Sequence, residues 1–134
     1  MQRRRVGLGL AALVAAGPAS AQMVHVERVD VIEAVPDVPG KVGAELALTV
    51  RPSGRPIGAL VTLREVWRLP LPGFRDPVSG AVSLEISWQF EARLGDQVRR
   101  RYVLDQPWKI VRGEWLVEYW DGVRKLLNRK FIVQ

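Results

Sequence analysis

The stretch "VSLEISWQFEAR", Val82 to Arg93, alternates apolar and polar residues without interruption. Every even-numbered position from Val82 to Ala92 is apolar, and every odd-numbered position from Ser83 to Arg93 is polar or charged. A period of two predicts a β-strand with one buried face and one exposed face. This stretch therefore decides the secondary-structure class, and the neighbouring segments are interpreted from it.

The segments on either side show the same period. After "LGDQ", the stretch "VRRRYVL" at 98–104 predicts a strand that returns beside the first one. Further strands are predicted at 23–35, 44–50, 59–69 and 107–111, with a bulge near Glu27 and Arg28, where the alternation changes phase. No stripe of helical period occurs after residue 21. Roughly seven or eight short strands in a chain of this length predict an all-β antiparallel sandwich.

The C-terminal stretch "GEWLVEYWDGVRKLLNRKFIV" predicts a β-hairpin with two possible turns. A loop of Asp121 and Gly122 alone would place Phe131 and Val133 on the wrong face unless a bulge follows. A loop of residues 120–122 puts glycine at the left-handed position that such loops prefer. We therefore expect this second turn, with Trp120 at the loop tip. It pairs Glu118 with Arg124 and creates one apolar face, formed by Trp115, Val117, Tyr119, Val123, Leu127, Phe131 and Val133.

Residues 1–21 have the three parts of a secretory signal peptide. Arginines at 3–5 precede an apolar run at 6–17, and Ala19-Ser20-Ala21 predicts cleavage before Gln22. An uncleaved anchor and twin-arginine export are the alternatives. After the predicted cleavage, residues 22–134 remain as one domain. We expect this domain in the periplasm or secreted from the cell. The formal net charge of +6 includes three arginines of the signal, so it does not indicate nucleic-acid binding.

The composition excludes several kinds of chemistry. The chain has no cysteine, which rules out disulfides, thiolate metal sites and cysteine nucleophiles. Its only histidine, His25, lies near the predicted mature N-terminus, and no motif for a metal, cofactor or nucleotide is present. We expect no cofactor and no catalytic activity. A hydrolase that uses carboxylates such as Glu114 and Glu118 is the least favoured alternative.

Besides Trp120, two surfaces are candidates for interaction. In "RRRYV", strand alternation puts Arg99 and Arg101 on one face and Arg100 on the other with Tyr102. A nucleic-acid groove needs basic and aromatic residues on one surface, so nucleic acid is not the expected partner. The arginines either prevent edge-to-edge pairing or contact an acidic partner or an anionic envelope surface.

The second surface is the proline-rich loop "RLPLPGFRDPVSG" at 68–80. Prolines suit a stiff connection between sheets. Phe74, with Arg75 beside it, is either an exposed contact or a cover over the end of the sandwich.

Several of these motifs together resemble a bacterial family called domain of unknown function 3859. They are the proline-rich segment 72–80, the G-x-W at 113–115, the "DGVRKL" hairpin at 121–126 and the closing F-x-V at 131–133. The resemblance extends from about Leu60 to the C-terminus. It implies a single, compact, exported immunoglobulin-like β-sandwich and supplies no activity, cofactor or site residues.

The function that we predict is a non-enzymatic interaction module of the bacterial cell envelope. Its partner is an envelope protein or surface component, bound at a sheet edge, at Trp120 or at the Arg99 and Arg101 face. The alternative is a sandwich that binds a small ligand or glycan, with Trp120 and Phe74 as stacking groups. We expect no transmembrane segment in the mature chain, and the sequence predicts no particular oligomeric state.

Overall fold

The computed structural model describes residues 23–134, so the predicted signal peptide lies outside the described residues. The described chain contains ten strands and a short 3-10 helix, Pro107–Lys109, where the predicted strand at 107–111 is therefore wrong. No helix in this part of the chain has the length and apolar character needed to cross a membrane. The strands are β1 (His25–Ala34), β2 (Asp37–Val38), β3 (Glu45–Arg55), β4 (Leu60–Arg68), β5 (Phe74–Arg75), β6 (Val82–Ser83), β7 (Glu85–Arg93), β8 (Val98–Val103), β9 (Gly113–Asp121) and β10 (Arg124–Val133).

Two sheets face each other across one apolar core. One sheet has the order β1-β3-β8 and the other the order β2-β10-β9-β4-β7, while β5 and β6 form a separate two-stranded ribbon. All pairs are antiparallel except the short pair of β2 with β10. Seven of the ten strands have six or more residues. The predicted antiparallel sandwich is confirmed.

The core is built from the inward positions of the long strands. On β3, the apolar side chains at 46, 48 and 50 are buried and alternate with more exposed ones. The largest fully buried side chains are Trp67, Trp115, Tyr119 and Phe131. Burying an aromatic or aliphatic side chain of this kind contributes about 1.5–3 kcal/mol, so these positions hold much of the stability of a small domain.

The strand that follows β7 does not return beside it, contrary to the prediction. β7 pairs with β4, and β8 pairs with β3 in the other sheet. The connection between them is bound to both sheets, because Leu94 donates its N–H to Ala59 O at 2.9 Å and Gly95 donates to Pro52 O at 2.8 Å. Alternation within one strand carries no information about its partner, and here the chain crosses from one sheet to the other.

The predicted strand at 82–93 is also divided, with β6 covering its start. Val82 and Leu84 are exposed, because β6 pairs with β5 outside the main sheets. Phe90 and Ala92 are buried as predicted, and Ile86 and Trp88 pack against the core from partly buried positions. The inward face is therefore correct only where β7 lies over the sandwich.

The C-terminal hairpin has neither predicted turn. Asp121 pairs with Arg124, so the loop consists of Gly122 and Val123, and Gly122 has the expected left-handed φ of 59°. A bulge between Lys125 and Leu127 then inserts one residue.

This bulge restores the phase of the apolar positions, so that Phe131 lies opposite Trp115. The prediction that Trp115, Tyr119 and Phe131 are buried is confirmed, as it is for the valines at 117 and 133. Val123 is 96% exposed, contrary to the prediction. Glu118 pairs with Asn128 and not with Arg124, and Trp120 lies within β9 and not at the loop tip.

The predicted bulge near the start of the chain is present. The register of β1 against β3 shifts between Val26 and Arg28 and again between Val31 and Glu33.

Candidate functional site

One side of the sandwich is formed by two unpaired strand edges. β8 hydrogen-bonds only to β3, and β7 only to β4. Among residues 23–134, the outer side of the two strands receives no main-chain hydrogen bond except the turn bond from Asp96 N–H to Arg93 O at the end of β7. The two edges lie together, since the rings of Trp88 on β7 and Tyr102 on β8 are stacked with centroids 6.1 Å apart. We refer to the edges of β7 and β8 as the open side.

The three arginines of β8 alternate as predicted. Arg99 and Arg101 are exposed on the outer face of the sheet, and Arg100 is partly buried on the inner face. Arg101 forms a salt bridge of 3.1 Å with Glu45 at the start of β3. Arg99 has no carboxylate within 4.0 Å in the described part of the chain. The outer face of this edge therefore has one cation without an ion pair and one in an exposed pair.

The side chain of Arg99 borders a recess of about 360 Å³ between β8, β3 and the end of β1. Three carboxylates also line this recess, at Glu33, Asp37 and Glu45. The recess is therefore of mixed charge, and it is unsuited to a free anion.

On the inner face, Arg100 forms a buried ion pair with Glu65 of β4. The guanidinium donates to both carboxylate oxygens, at 3.0 and 3.1 Å, and Glu65 is fully buried. The Tyr119 hydroxyl donates to Glu65 Oε2 at 2.7 Å, and the Arg100 guanidinium lies 4.0 Å from the centroid of the Phe90 ring. Burial and the negative charge of Glu65 raise the pKa of Tyr119 far above its ordinary value. This network joins β8 to the opposite sheet and holds the open side in place.

Glu65 did not figure in the sequence prediction, although the sequence contains a signal for it. In "ALVTLREVWRL", Glu65 has the same phase as Leu63 and Trp67, which are core positions. On β8, Arg100 has the phase of Tyr102. An acid and a base that both occupy inward positions indicate a buried pair, because unpaired charges are rarely buried.

Phe74 covers the end of the core and does not form a contact surface. It is 6% exposed and its ring stacks on Tyr102 with centroids 6.1 Å apart. The edges of Trp108 and Trp115 meet the same ring at 5.6 and 5.8 Å. Of the two roles predicted for Phe74, the one as a cover over the end of the sandwich is therefore correct. Arg75 is exposed and donates to Gly80 O at 3.1 Å.

Trp120 lies on the outer face of the five-stranded sheet and is partly buried. Its Nε1–H donates to Glu118 Oε1 at 3.0 Å, and the cations of Arg64 and Lys125 lie 5.3 and 5.8 Å from its ring centroid. Trp120 is close to the β9–β10 turn, whereas Phe74 packs near the start of β9. The two aromatic residues cannot form one stacking site, so that part of the ligand prediction is wrong.

The two carboxylates suggested for hydrolysis are both ion-paired. Glu118 is 3% exposed and lies 3.0 Å from Arg68, and Glu114 is 3.8 Å from Lys130. Burial raises the pKa of Glu118, but the hydrogen bonds from Arg68 and Trp120 and the nearby cations outweigh it, so its pKa is below the ordinary value. Glu118 is therefore a charged structural partner and not a proton donor at neutral pH.

The predicted interaction residues thus fall in three separate places. Arg99 and Arg101 lie at the open side, Trp120 lies on the outer face of the other sheet, and Phe74 with Arg75 lies at one end of the sandwich. Within residues 23–134, no group of three or more acidic or histidine side chains is arranged to hold a metal ion.

Comparison with known proteins gives the fold its class. No family model and no curated protein matches this sequence. The structure is similar to the crystal structure, at 1.50 Å resolution, of an immunoglobulin-like protein from Pseudomonas aeruginosa, with a TM-score of 0.59 and 21% identity over 87% of this chain and 100% of that chain. The chain has an immunoglobulin-like fold. The predicted fold class is confirmed.

A second similarity is weaker. It is to an alkylpurine DNA glycosylase from Pseudomonas fluorescens bound to DNA that contains an abasic-site analogue, with a TM-score of 0.43 and 15% identity over 83% of this chain and 30% of that chain. A similarity of that size does not establish a shared fold.

Proposed function

We propose that this protein is an exported, non-enzymatic binding module of the bacterial cell envelope that takes up an extended, acidic segment of a partner protein along β8. One observation carries the proposal. β8 is an unpaired edge that presents Arg99 and Arg101 on its exposed face. Export and membership of domain of unknown function 3859 belong to the same proposal, and they are supported by residues 1–21 and by the motifs from Leu60 onward.

The main chain of β8 supplies the affinity in this proposal. Its outer N–H and C=O groups have no partner in the described residues, and an added strand would satisfy them. The edge is also held rigid before binding, because Arg100 is anchored to the buried Glu65. A rigid edge loses little conformational entropy on association, so more of the interaction energy remains as affinity.

The arginines determine which strand is accepted. Side chains that lie directly opposite each other on neighbouring strands have Cβ atoms about 4.5–5.5 Å apart, so acidic residues opposite Arg99 and Arg101 would be stabilising. Antiparallel self-pairing of two β8 edges about Arg100 would instead place Arg99 opposite Arg101, and like charges in that position are destabilising. The charges therefore favour an acidic partner over a second copy of this chain.

The test uses two synthetic peptides with the purified protein. One alternates valine with glutamate over seven residues, and the other has lysine in place of glutamate. In ¹⁵N-labelled protein we expect the glutamate peptide to shift and protect the β8 amides, with affinity that falls as salt is raised, and the lysine peptide to have no effect. Arg99→Gln with Arg101→Gln should weaken binding by about tenfold or more.

The control variant, Arg51→Gln with Arg64→Gln, removes two arginines from the central strands β3 and β4 and should bind normally. Equal binding of both peptides would overturn the charge argument. Absence of any change at the β8 amides at millimolar glutamate peptide would overturn the proposal itself.

A further inference from the structure

A cavity at one end of the sandwich is not used by the function proposed above. It is widely open to solvent, has a volume of about 470 Å³ and lies between the β4–β5 connection and the segment that joins β8 to β9. This volume is within the range of small-molecule sites, about 300–1,000 Å³. We call it the end cavity, and its walls include Pro72, Arg75, Pro107, Trp108, Ile110 and Arg112.

The walls of the end cavity are held by the fold. Trp108 belongs to the 3-10 helix Pro107–Lys109 and meets the buried ring of Phe74 edge-on at 5.6 Å. Gly73, which also lines the cavity, has a φ of 79°, and a Cβ there would lie 2.5 Å from Ser83 O. The backbone is therefore tightly packed at this point.

The charge of the end cavity is of one sign. Arg75 and Arg112 line it, and none of its lining residues is acidic. Arg75 has no carboxylate within 4.0 Å in the described chain. Arg75 donates to Gly80 O, and Arg112 donates to the main-chain oxygens of Gly40 and Gln134. A guanidinium has more N–H donors than these contacts use, so donors remain for a ligand.

The nearest acid in sequence does not neutralise this charge. Asp76 follows Arg75, but its Oδ1 accepts main-chain hydrogen bonds from Val78 at 2.7 Å and from Ser79 at 3.0 Å. Its carboxylate therefore accepts hydrogen bonds within its own turn and does not pair with Arg75. Asp105 is likewise paired with Lys109 at 2.8 Å.

From these contacts we infer that the end cavity binds a small organic anion with a flat apolar body. The anionic group pairs with Arg75 and Arg112, since guanidinium groups match the geometry of a carboxylate. The apolar body lies against the Trp108 ring, Ile110 and the two prolines, where aromatic and aliphatic surface is available. This site is separate from the β8 edge, so either proposal can fail without the other.

The experiment compares 2-naphthoate with neutral 2-naphthamide, which has nearly the same shape. The indole N–H resonance of Trp108 in ¹⁵N-labelled protein is assigned by its loss in Trp108→Phe. We expect naphthoate to shift this resonance in a saturable manner and to bind at least about tenfold more tightly than naphthamide. Arg75→Gln should weaken naphthoate binding by about tenfold, which corresponds to about 1.4 kcal/mol.

Arg93→Gln is the matched control, because Arg93 also donates to a carbonyl, Gly58 O at 3.1 Å, but does not line the cavity. It should leave naphthoate binding unchanged. If the Arg112→Gln variant folds, it should also bind naphthoate more weakly. If it does not fold, the Arg75→Gln variant alone tests the inference. Equal affinity for acid and amide, or unchanged binding in Arg75→Gln, would overturn the inference.

Discussion

Glu65 and Arg100 form an ion pair across the interior of the sandwich, from a central strand of one sheet to the edge strand of the other. The carboxylate is fully buried, and its third hydrogen bond comes from the Tyr119 hydroxyl. Both oxygens of the buried carboxylate therefore have a donor, two on Oε2 and one on Oε1. The pair therefore aligns the two sheets at the open side.

We expect Glu65→Gln to lower the free energy of unfolding by about 3–5 kcal/mol, because it leaves the Arg100 guanidinium without an anion in a partly buried position. The control is Arg101→Gln, which breaks only the exposed pair with Glu45 and should cost about 0–1 kcal/mol. Denaturant unfolding of the two variants measures both effects. Similar losses in the two variants would show that the buried pair has no special role.

Two buried tryptophans should respond differently to the same substitution. Trp67 and Trp115 are both 0% exposed, but Trp115 Nε1 donates to Val111 O at 2.7 Å, whereas Trp67 Nε1 has no acceptor within the described residues. Both changes to phenylalanine remove similar volume. Trp115→Phe also leaves a carbonyl unsatisfied, while Trp67→Phe removes an unpaired donor.

Trp115→Phe should therefore be more destabilising than Trp67→Phe by about 1–3 kcal/mol. Thermal and denaturant unfolding measure the difference. If the two variants lose the same stability, then Trp67 has a hydrogen-bond partner in solution.

Stability should fall in acid partly through Glu118. Its pKa in the folded state is below the ordinary value of about 4.3. The stabilising contribution is therefore present above that ordinary value and is lost as the pH falls through the folded-state pKa.

Glu118→Gln should reduce the loss of stability between about pH 5 and pH 2, without abolishing it, because Asp76 and Asp105 also have lowered pKa values. Arg68→Gln should have the same effect, since the Arg68 hydrogen bond is the largest of the contacts that lower the pKa of Glu118. Unfolding curves at several pH values test this. An unchanged pH slope in Glu118→Gln would contradict it.

Removing the exposed charges of β8 should expose the edge to self-pairing. We expect Arg99→Val with Arg101→Val to associate in a concentration-dependent manner, because charged side chains on an edge strand prevent such pairing. Sedimentation velocity measures the association. Arg51→Val with Arg64→Val removes the same charge from central strands and should stay at the state of the unmodified protein. If the double β8 variant sediments like the unmodified protein, then the β8 edge is not accessible for pairing with a second copy.

Much of the fold was predictable from residues close together in the chain. The alternation at 82–93 predicted a strand, and the alternation at 98–104 placed Arg99 and Arg101 outside and Arg100 inside. The burial of Trp115 and Tyr119 was predicted in the same way. Each of these properties depends on the pleat, in which successive side chains point to opposite faces.

The errors concern pairing between strands. The predicted position of the hairpin loop is wrong because a bulge near Leu126 shifts the alternation of apolar residues by one position. No residue pattern in the sequence indicates this bulge. Trp120 was assigned to a loop tip for the same reason. In the candidate sites, the outward positions of Arg99 and Arg101 were predicted, whereas the burial of Glu65 and the end cavity were not.

The sequence by itself determined that this chain forms strands, which side of each strand is apolar, and that cysteine chemistry is excluded from its sites. Only the tertiary structure decided which strands are neighbours, that β7 and β8 leave an open side, and that Arg75, Trp108 and Arg112 line one cavity. The physical reason is range. Alternation arises from adjacent residues, whereas an edge, a buried ion pair or a cavity depends on residues brought together from distant parts of the chain.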